Sequence, residues 1–203
     1  MGTLHQHLPL VLGSSSARRR ELLTGLALTF EVTSADLDES ELADEPPTGY
    51  VVRMAREKAA ALAQDPRKEP PAILLTADTI VVHEGAILHK PIDRDDGRRI
   101  LRTLAGRWHE VHTAYHLDLW DGRELDRLVT TRVRFKRISP GELEHYLDQD
   151  EYRDKAGGYG IQGKANVLVQ SLEGSYTNVI GLPLAELVED LLFLGAISYD
   201  AVR

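Results

Sequence analysis

Apolar and polar residues follow two different periods along the chain, and both appear at its N-terminal end. The run LPLVLG at 8–13 is short, apolar and ended by glycine, as is typical of a buried strand. Three serines at 14–16 can then cap a helix, ARRRELLTGL, whose Leu22, Leu23 and Leu26 share its inward side. This pattern predicts a strand, a tight turn and a helix that begins directly after the serines.

The middle of the chain combines helical and strand patterns. The segment GYVVRMAREKAAALAQ, residues 49–64, places apolar side chains at helical spacing. After a proline-rich segment, ILLTADTIVVHEGAILHKP predicts a hairpin with Asp78 inside its first apolar half. DRDDGRRILRTLAG predicts a helix that ends near Gly106. The alternating runs around Asp121 and Gly122 predict two long antiparallel strands.

The last third of the chain is predicted to hold two helices and one strand. SPGELEHYLDQ begins with Ser139 and Pro140 and has Glu142 three residues after the cap, a capping box that predicts a helix of about three turns. ANVLVQSL predicts a strand, EGSYTNVIGLP a loop, and residues 183–194 a closing helix. No repeat or long linker interrupts the sequence, so we expect one domain over residues 1–203.

Composition and charge narrow the classes of protein that fit this pattern. The chain has 203 residues, 42% of them hydrophobic, and a formal net charge of -8, which does not favour bulk electrostatic binding to nucleic acid. It contains no cysteine, which excludes disulfides and thiolate metal sites. The start lacks the positive segment of a signal peptide, and no apolar run approaches the roughly 20 residues of a membrane span. We therefore expect a cytoplasmic protein that does not bind membranes.

The turn of serines and arginines is the first candidate for chemistry. A helix N-terminus presents unpaired backbone donors and a partial positive charge, so the turn at 14–16 can hold a phosphate group. Arg18 and Arg19 add planar donors suited to phosphate oxygens, and the like charges at 18–20 repel each other unless an anion is near. From these residues alone, a capped helix with solvated arginines is an equally good interpretation.

Carboxylates are the candidates for holding a divalent metal that bridges phosphate oxygens. Mg²⁺ and Mn²⁺ prefer carboxylate and water ligands, and the carboxylates in suggestive settings are Asp38, Glu39 and Asp78. Because Asp78 lies in LLTADTIVV, we expect it at a strand end or bulge facing a cleft, or else with a buried partner. For Asp38 and Glu39, spacing alone favours a solvated acidic loop.

Other polar residues give weaker signals. Lys58 in REKAA and Lys90 in HKP each match an ordinary surface lysine when taken singly. The glycines of DKAGGYGIQG let the backbone approach a ligand, and Gln162 offers an amide for a base edge, with a plain turn as the alternative. His109 and His112 in HEVH lie on a strand pattern, where residues three apart face opposite sides, so we do not expect a histidine metal site.

Eight segments occur in order over nearly the whole chain: SSSARRRELL, DLDES, VVRMAREKA, ADTIVV, ILHKPID, LAGRWHEVHTA, YRDKAGGYGIQG and GSYTNVIGLPL. Together they resemble the Maf family of nucleoside triphosphate pyrophosphatases. The resemblance implies an α/β fold, related to inosine triphosphate pyrophosphatases, in which helices flank an elongated, twisted mixed sheet and two lobes enclose a central cleft. It also implies a homodimer, and cleavage between the α and β phosphates with Mg²⁺ or Mn²⁺, giving a nucleoside monophosphate and pyrophosphate.

The resemblance also assigns roles to individual residues. Asp78 matches the catalytic aspartate, which accepts a proton from the attacking water, and Glu39 with Asp78 is expected to hold the metal. The other phosphate-turn and cleft-lining matches are Ser14, Arg18, Arg19, Glu57, Lys58, Lys90 and Lys155. Arg18, Thr79 and Gln162 resemble the branch that hydrolyses dTTP and UTP, with CTP and modified pyrimidine nucleotides as further candidates. The sequence leaves open whether Asp78 takes the proton or chiefly holds the metal.

Three positions depart from the residues that are common in the family. Gly13 and Gly158 stand where alanine is common, and Ala17 stands where proline is usual. Ala17 lacks the ring that presets the first helical turn, so we expect a slightly looser phosphate turn that keeps all its donors.

A second class of function stays open on the sequence. The family's historical link to septum formation suggests a regulator that senses a nucleotide, or binds nucleic acid, without turnover. The acidic surplus of the chain weighs against it. So does the aspartate beside Thr79, which a protein that only binds would not need.

Overall fold

The computed structural model describes residues 3–63, 65, 67 and 70–200. Its strands are β1 (Leu4–Gln6), β2 (Leu10–Gly13), β3 (Phe30–Thr33), β4 (Ile73–His83), β5 (Ala86–Leu88), β6 (Trp108–Leu119), β7 (Glu124–Phe135), β8 (Val169–Glu173) and β9 (Ile197–Tyr199). Its helices are α1 (Ala17–Gly25), α2 (Pro47–Ala61), α3 (Arg94–Leu104), α4 (Pro140–Leu147), α5 (Tyr176–Ile180) and α6 (Leu184–Phe193). Two 3-10 turns, Ala156–Gly158 and Lys164–Leu168, lie between α4 and β8.

A mixed sheet of seven strands organises the described residues. Its order is β3-β2-β4-β6-β7-β8, and the short β5 pairs with β4. β2 runs parallel to both β3 and β4, whereas the pairings from β4 through β8 are antiparallel. β1 and β9 form a separate antiparallel pair. The expected α/β class with a mixed sheet is confirmed.

The long strands β4 and β6 connect the main parts of the core. One buried cluster contains Tyr115 together with apolar side chains of α1 and α6. Another contains Val81 together with apolar side chains of α3 and α4. Met54 and its neighbours on α2 form a third cluster against the two strands. Asp78 and Thr79 lie in the middle of β4, so the sheet itself holds these polar side chains between the clusters.

Two helices differ in extent from their predictions. α2 begins at Pro47, before the predicted start, because proline is well tolerated in the first turn of a helix. It ends at Ala61, and the predicted end at Gln64 lies outside the described residues. α4 forms the predicted capping box between Ser139 and Glu142, but its 8 residues make about two turns rather than about three.

The C-terminal third contains the clearest errors of the sequence analysis. The predicted strand over 165–172 begins only at Val169, because a 3-10 turn first buries Ala165 and Leu168, which lie three residues apart. The segment predicted as a loop contains α5, where Ser175 Oγ accepts the N–H of Asn178 at 3.2 Å. The pattern did not indicate β9 or its partner β1 at the other end of the chain, since a strand of 3 residues is too short to show alternation.

The other predictions about the whole chain are only partly tested. Within the described ranges, no helix combines the length and the apolar character that crossing a bilayer requires. A single domain over residues 1–203 stays a prediction.

Candidate active site

A cavity of about 640 Å³ opens beside the middle of β4. Its walls come from the turn between β2 and α1, from α2 and β4, and from the glycine-rich loop after α4. The predicted site residues that line it are Ser14, Arg18, Arg19, Glu39, Lys58, Asp78, Thr79, Lys90, Lys155 and Gln162. Asp38 and Glu57 do not line it. The fold thus brings together residues that lie far apart in the sequence.

The turn at 14–16 is built as a helix cap. Ser16 is the N-cap of α1, and its Oγ accepts the N–H of Arg19 at 3.4 Å. Ser14 Oγ accepts the N–H of Ser16 at 3.3 Å. The first N–H groups of the helix have no acceptor within it, which leaves donors for an anion. Gly13 permits the close packing below the turn, since a Cβ there would lie 2.6 Å from Thr76 Cγ2.

Arg19 is buried and held by three hydrogen bonds. Its Nε donates to Gly181 O at 2.8 Å, its Nη1 to Ser14 Oγ at 3.1 Å and its Nη2 to Thr79 Oγ1 at 3.0 Å. Burial lowers the pKa of Arg19, and the charge of Asp78 opposes that shift. Its partners are neutral, so the positive charge of the guanidinium is not cancelled by an ion pair among the described residues.

Arg18 differs from Arg19 in having no hydrogen bond or ion pair within the part of the chain that the structure describes. Its side chain is half-buried and lines the cavity. The two arginines therefore have different roles, although the sequence predicted phosphate binding for both. Arg19 fixes the shape of the turn, and Arg18 keeps its donors available to a ligand.

Lys58 joins the two predicted metal-binding carboxylates. Its Nζ lies 2.7 Å from Asp78 Oδ1 and 2.7 Å from Glu39 Oε1. The side chains of Lys58 and Asp78 are only 14% and 13% exposed, whereas that of Glu39 is 46% exposed. Asp78 thus lies in the middle of β4 and not at a strand end, but it does face the cavity, and it has a largely buried partner in Lys58.

The pKa of Glu39 lies below its usual value. Burial alone would raise this pKa, but the hydrogen bond and charge of Lys58, with the charges of Lys90 and Arg19, outweigh that effect. Glu39 is therefore ionised at neutral pH and carries the full charge that a cation ligand requires.

Two residues of α2 that the sequence analysis missed position the acidic loop at 34–45. Tyr50 donates its hydroxyl to Glu39 O at 2.8 Å. Arg53 donates to Ser40 O at 3.0 Å and to Glu45 Oε1 at 2.7 Å. The signal that would have found them is their spacing of three on α2, directly after a loop rich in glutamate.

The two predicted residues outside the cavity have local roles. The resemblance implied that Glu57 lines the cleft, and this is wrong. Glu57 accepts a hydrogen bond from Arg53 at 3.2 Å and so supports the arginine that holds the acidic loop. Asp38 accepts from the N–H of Ser40 at 3.0 Å and from its hydroxyl at 2.6 Å, which lowers the pKa of Asp38. Asp38 is therefore a turn residue, and the metal-binding candidates reduce to Glu39 and Asp78.

The glycine-rich loop after α4 supplies another wall of the cavity. Lys155 Nζ donates to Glu151 O and to Asp154 Oδ1, both at 2.7 Å. Gln162 is exposed, and its amide makes no hydrogen bond within the described ranges. Gly158 has a φ of 70°, a conformation in which an alanine would be strained.

Glu39 and Asp78 fit a divalent cation that is shared with a substrate. The described residues contain no group of three or more histidine, cysteine, aspartate or glutamate side chains arranged to hold a metal. The two carboxylates nevertheless converge on one positive charge, that of Lys58. Mg²⁺ is commonly held by one or two carboxylates together with phosphate oxygens and water, and this donor set matches that chemistry.

His109 and His112 have separate partners. His109 Nε2 lies 2.7 Å from the Tyr159 hydroxyl, and His112 Nδ1 lies 2.8 Å from Thr130 Oγ1. The two imidazoles form hydrogen bonds in different parts of the interior, in keeping with their expected positions on opposite faces of β6.

Known proteins resemble this chain in both sequence and fold. A family model described as "Maf-like protein" matches residues 9–192. A dTTP/UTP pyrophosphatase of Hahella chejuensis (strain KCTC 2396) is 46% identical over 179 residues, which cover 88% of this chain and 89% of that protein. A dTTP/UTP pyrophosphatase of Anaeromyxobacter dehalogenans (strain 2CP-1 / ATCC BAA-258) is 48% identical over 180 residues, covering 87% and 89%.

The fold is also found among solved structures. The Ham1 protein of Staphylococcus aureus superposes with a TM-score of 0.50 at 10% sequence identity, covering 92% of this chain and 99% of that one. At this level of identity the likeness concerns the fold alone.

Proposed function

The chain belongs to the Maf family, and from that premise we propose that it is a nucleoside triphosphate pyrophosphatase acting on dTTP and UTP. It releases the nucleoside monophosphate and pyrophosphate, with CTP and modified pyrimidine nucleotides as further substrates, in a house-cleaning role. One observation carries the proposal: a serine and arginine turn suited to phosphate and a carboxylate on β4 face the same cavity.

The positions of these groups support the following reaction. The turn at 14–16 and Arg18 hold the phosphate chain, while Arg19 keeps Ser14 in place. Water attacks the α-phosphorus, the bond from that phosphorus to the bridging oxygen breaks, and pyrophosphate leaves with the bonding electrons. The carboxylate of Asp78 takes the proton of the attacking water.

A divalent metal and the cavity lysines complete the charge balance. When Mg²⁺ or Mn²⁺ is bound, Glu39 and Asp78 would hold it, and it would polarise the phosphate oxygens. Lys90 and Lys155 stabilise the charge that develops on the departing pyrophosphate.

Two residues select the nucleobase of the substrate: Gln162 acts directly, and Thr79 acts through the residues that it contacts. The amide of Gln162 faces no competing hydrogen bond in the described ranges and offers a donor and an acceptor to a pyrimidine edge. Thr79 Oγ1 is already engaged by Arg19 and lies 3.0 Å from Thr113 Oγ1. Thr79 therefore acts by fixing Arg19, and Gln162 is the residue that contacts the base.

Hydrolysis of dTTP in ¹⁸O-labelled water tests this proposal. With Mg²⁺ or Mn²⁺ present, we expect dTMP and pyrophosphate as the first products, with the label in dTMP alone. Label in the pyrophosphate, or orthophosphate as the first product, would contradict attack at the α-phosphorus. Tight binding of dTTP without any product would instead favour the nucleotide-sensing regulator.

We extend the proposal to assembly and location. Phe193 and Tyr199 are 82% and 52% exposed, apolar surface of the kind that a homodimer would cover. We also place the enzyme in the cytoplasm, where its nucleotide substrates are made. Light scattering on the purified chain tests the first point, with a mass near twice 22.6 kDa expected for the dimer.

A further inference from the structure

We infer that Lys58 is a built-in counter-ion that occupies the cation position between Asp78 and Glu39 and gives it up only when nucleotide phosphates arrive. This inference rests on the proposed function, because it assigns to Lys58 the coupling between metal and substrate at that site. The same residue would later contact the phosphate chain, so its two positions belong to two stages of one binding reaction.

The ammonium group of Lys58 lies between the two carboxylates. Lys58 Nζ is 2.7 Å from both Asp78 Oδ1 and Glu39 Oε1, and these are its ion pairs among the described residues. It therefore lies where a cation shared by the two carboxylates would lie. A divalent ion and an ammonium group cannot both take the space between the same oxygens, since their charges repel at this separation.

The charges around Asp78 and Glu39 already balance each other when Lys58 is in place. Asp78 and Glu39 supply two negative charges, Lys58 pairs with both, Arg19 interacts with both through its charge, and the charge of Lys90 acts on Glu39. The carboxylates are thus already neutralised before any metal arrives. Added alone, a divalent cation gains little from them and must displace Lys58 into a cavity whose other lining carboxylate, Asp154, is already paired with Lys155.

A triphosphate removes both obstacles. Its oxygens give the ammonium of Lys58 a new acceptor, and the flexible four-carbon side chain reaches it without any movement of α2. Its negative charge also reverses the local balance. The result is positive coupling, in which nucleotide tightens metal binding and metal tightens nucleotide binding by the same factor.

Mn²⁺ binding to the full chain without nucleotide tests the inference, measured from the paramagnetic resonance signal of free Mn²⁺ at pH 8. Wild-type protein is expected to bind Mn²⁺ weakly. Lys58→Met should lower the Kd for Mn²⁺ by at least about tenfold, because the two carboxylates lose their internal partner. Lys58→Arg keeps the charge and should bind as weakly as wild type.

Lys90→Met is the matched control. It removes the same charge from the same cavity, but in the described ranges Lys90 forms no ion pair with either carboxylate and acts on Glu39 only through a longer-range charge interaction, so its effect should stay below about threefold. Asp78→Asn added to Lys58→Met should abolish the gain. Equal Kd values for wild type and Lys58→Met, or an equal gain in Lys90→Met, would overturn the inference.

Two measurements keep the outcome interpretable. Lys58→Gln gives a second uncharged variant if Lys58→Met does not fold, which circular dichroism reports. Pyrophosphate release by wild-type protein is recorded separately. Release without tighter Mn²⁺ binding in the variants rejects the role of Lys58 alone, whereas tighter binding without release rejects the proposed function.

Discussion

Two clusters of charged and hydroxyl groups in this molecule have similar chemistry and opposite uses. In the cavity, Lys58 bridges Asp78 and Glu39. In the interior, Asp190 accepts the hydroxyl of Tyr115 at 2.5 Å and Nε of Arg127 at 3.0 Å. Asp190 is 3% exposed, and both of its carboxylate oxygens are engaged, because Arg127 Nη2 donates to Oδ1 as well.

The difference lies in what each carboxylate can still do. Asp190 holds β6, β7 and α6 together, and burial together with Asp190 raises the pKa of Tyr115. Asp78 keeps one oxygen that Lys58 does not engage, and it faces a cavity of about 640 Å³. A buried acid with both oxygens engaged by donors stabilises the fold, whereas one with an oxygen left for a ligand beside a cavity indicates chemistry.

The largest expected effect comes from the cleft. Asp78→Asn keeps the shape of the side chain but removes the proton acceptor, so pyrophosphate release from dTTP should fall by about 100-fold or more. Thermal unfolding checks that the variant is folded, and its Tm should stay within a few degrees of wild type. Activity close to wild type would show that another group accepts the proton of the attacking water.

The interior cluster should respond in the reverse way. Asp190→Asn leaves Arg127, whose side chain is 42% exposed, without its counter-ion and weakens the acceptor of the Tyr115 hydroxyl, and we expect a loss of about 2 kcal/mol in the free energy of unfolding. For a chain of this size, the Tm should fall by roughly 4–8 °C. Glu173→Gln, which removes an exposed partner of Arg132, should change stability by less than about 0.5 kcal/mol.

At temperatures where Asp190→Asn is folded, its kcat/KM should stay within about threefold of wild type, because the residue does not line the cavity. A loss of activity as large as that of Asp78→Asn would remove the distinction between the two clusters.

His109 is a buried titratable group that has no counter-charge among the described residues, and it extends the comparison between buried and cavity-facing groups. Burial, with a smaller effect of His83, lowers the pKa of His109 to about 3, against a usual value of 6.5. Below pH 6.5 the unfolded chain binds this proton and the folded chain does not, so the protein loses stability as the pH falls. Between pH 6.5 and 5 the loss from this residue is about 2 kcal/mol.

His109→Gln removes the titrating ring and keeps a hydrogen-bonding group near Tyr159. Denaturant unfolding across this pH range should show a shallower decline than in wild type, by about 2 kcal/mol at pH 5. The same pH slope in both proteins would mean that His109 is protonated in the folded state.

The smallest expected effect is at the phosphate turn. Ala17 is the first residue of α1, and Ser16 before it has a ψ of 116°, which a following proline tolerates. Ala17→Pro should therefore raise stability by about 0.5 kcal/mol and lower the KM for dTTP by no more than about twofold. A calorimetric scan and steady-state kinetics check both, and a loss of stability would show that the turn needs the N–H of Ala17.

Local patterns explain which parts of the fold the sequence predicted. The Ser16 cap, the capping box at Ser139 and the β6–β7 hairpin each depend on residues a few positions apart. The start of β8 and the short α5 were wrong because their tertiary contacts outweigh weak periodicity. The pair of Asp190 and Tyr115 could not be predicted, since 75 positions separate them and neither belongs to a motif.

The site was predictable in its members and less so in their roles. The family resemblance brought Lys58, Glu39 and Asp78 to one cleft, and the structure agrees. Spacing alone gave no reason for Lys58 to bridge the two carboxylates, because that contact depends on how α2 packs against β4. The separate roles of Arg18 and Arg19 likewise depend on partners from β4 and from Gly181, which the motif does not contain.

The most direct test of the account is a crystal structure of the protein with Mg²⁺ and a dTTP analogue that cannot be cleaved between its α and β phosphates. We predict that the phosphate chain lies between the turn at 14–16 and Lys90, with its α-phosphorus facing Asp78. A phosphate chain bound elsewhere, such as in the groove that Arg98, Arg102 and Arg107 line on α3 and beyond it, would contradict the assignment of this cavity as the active site.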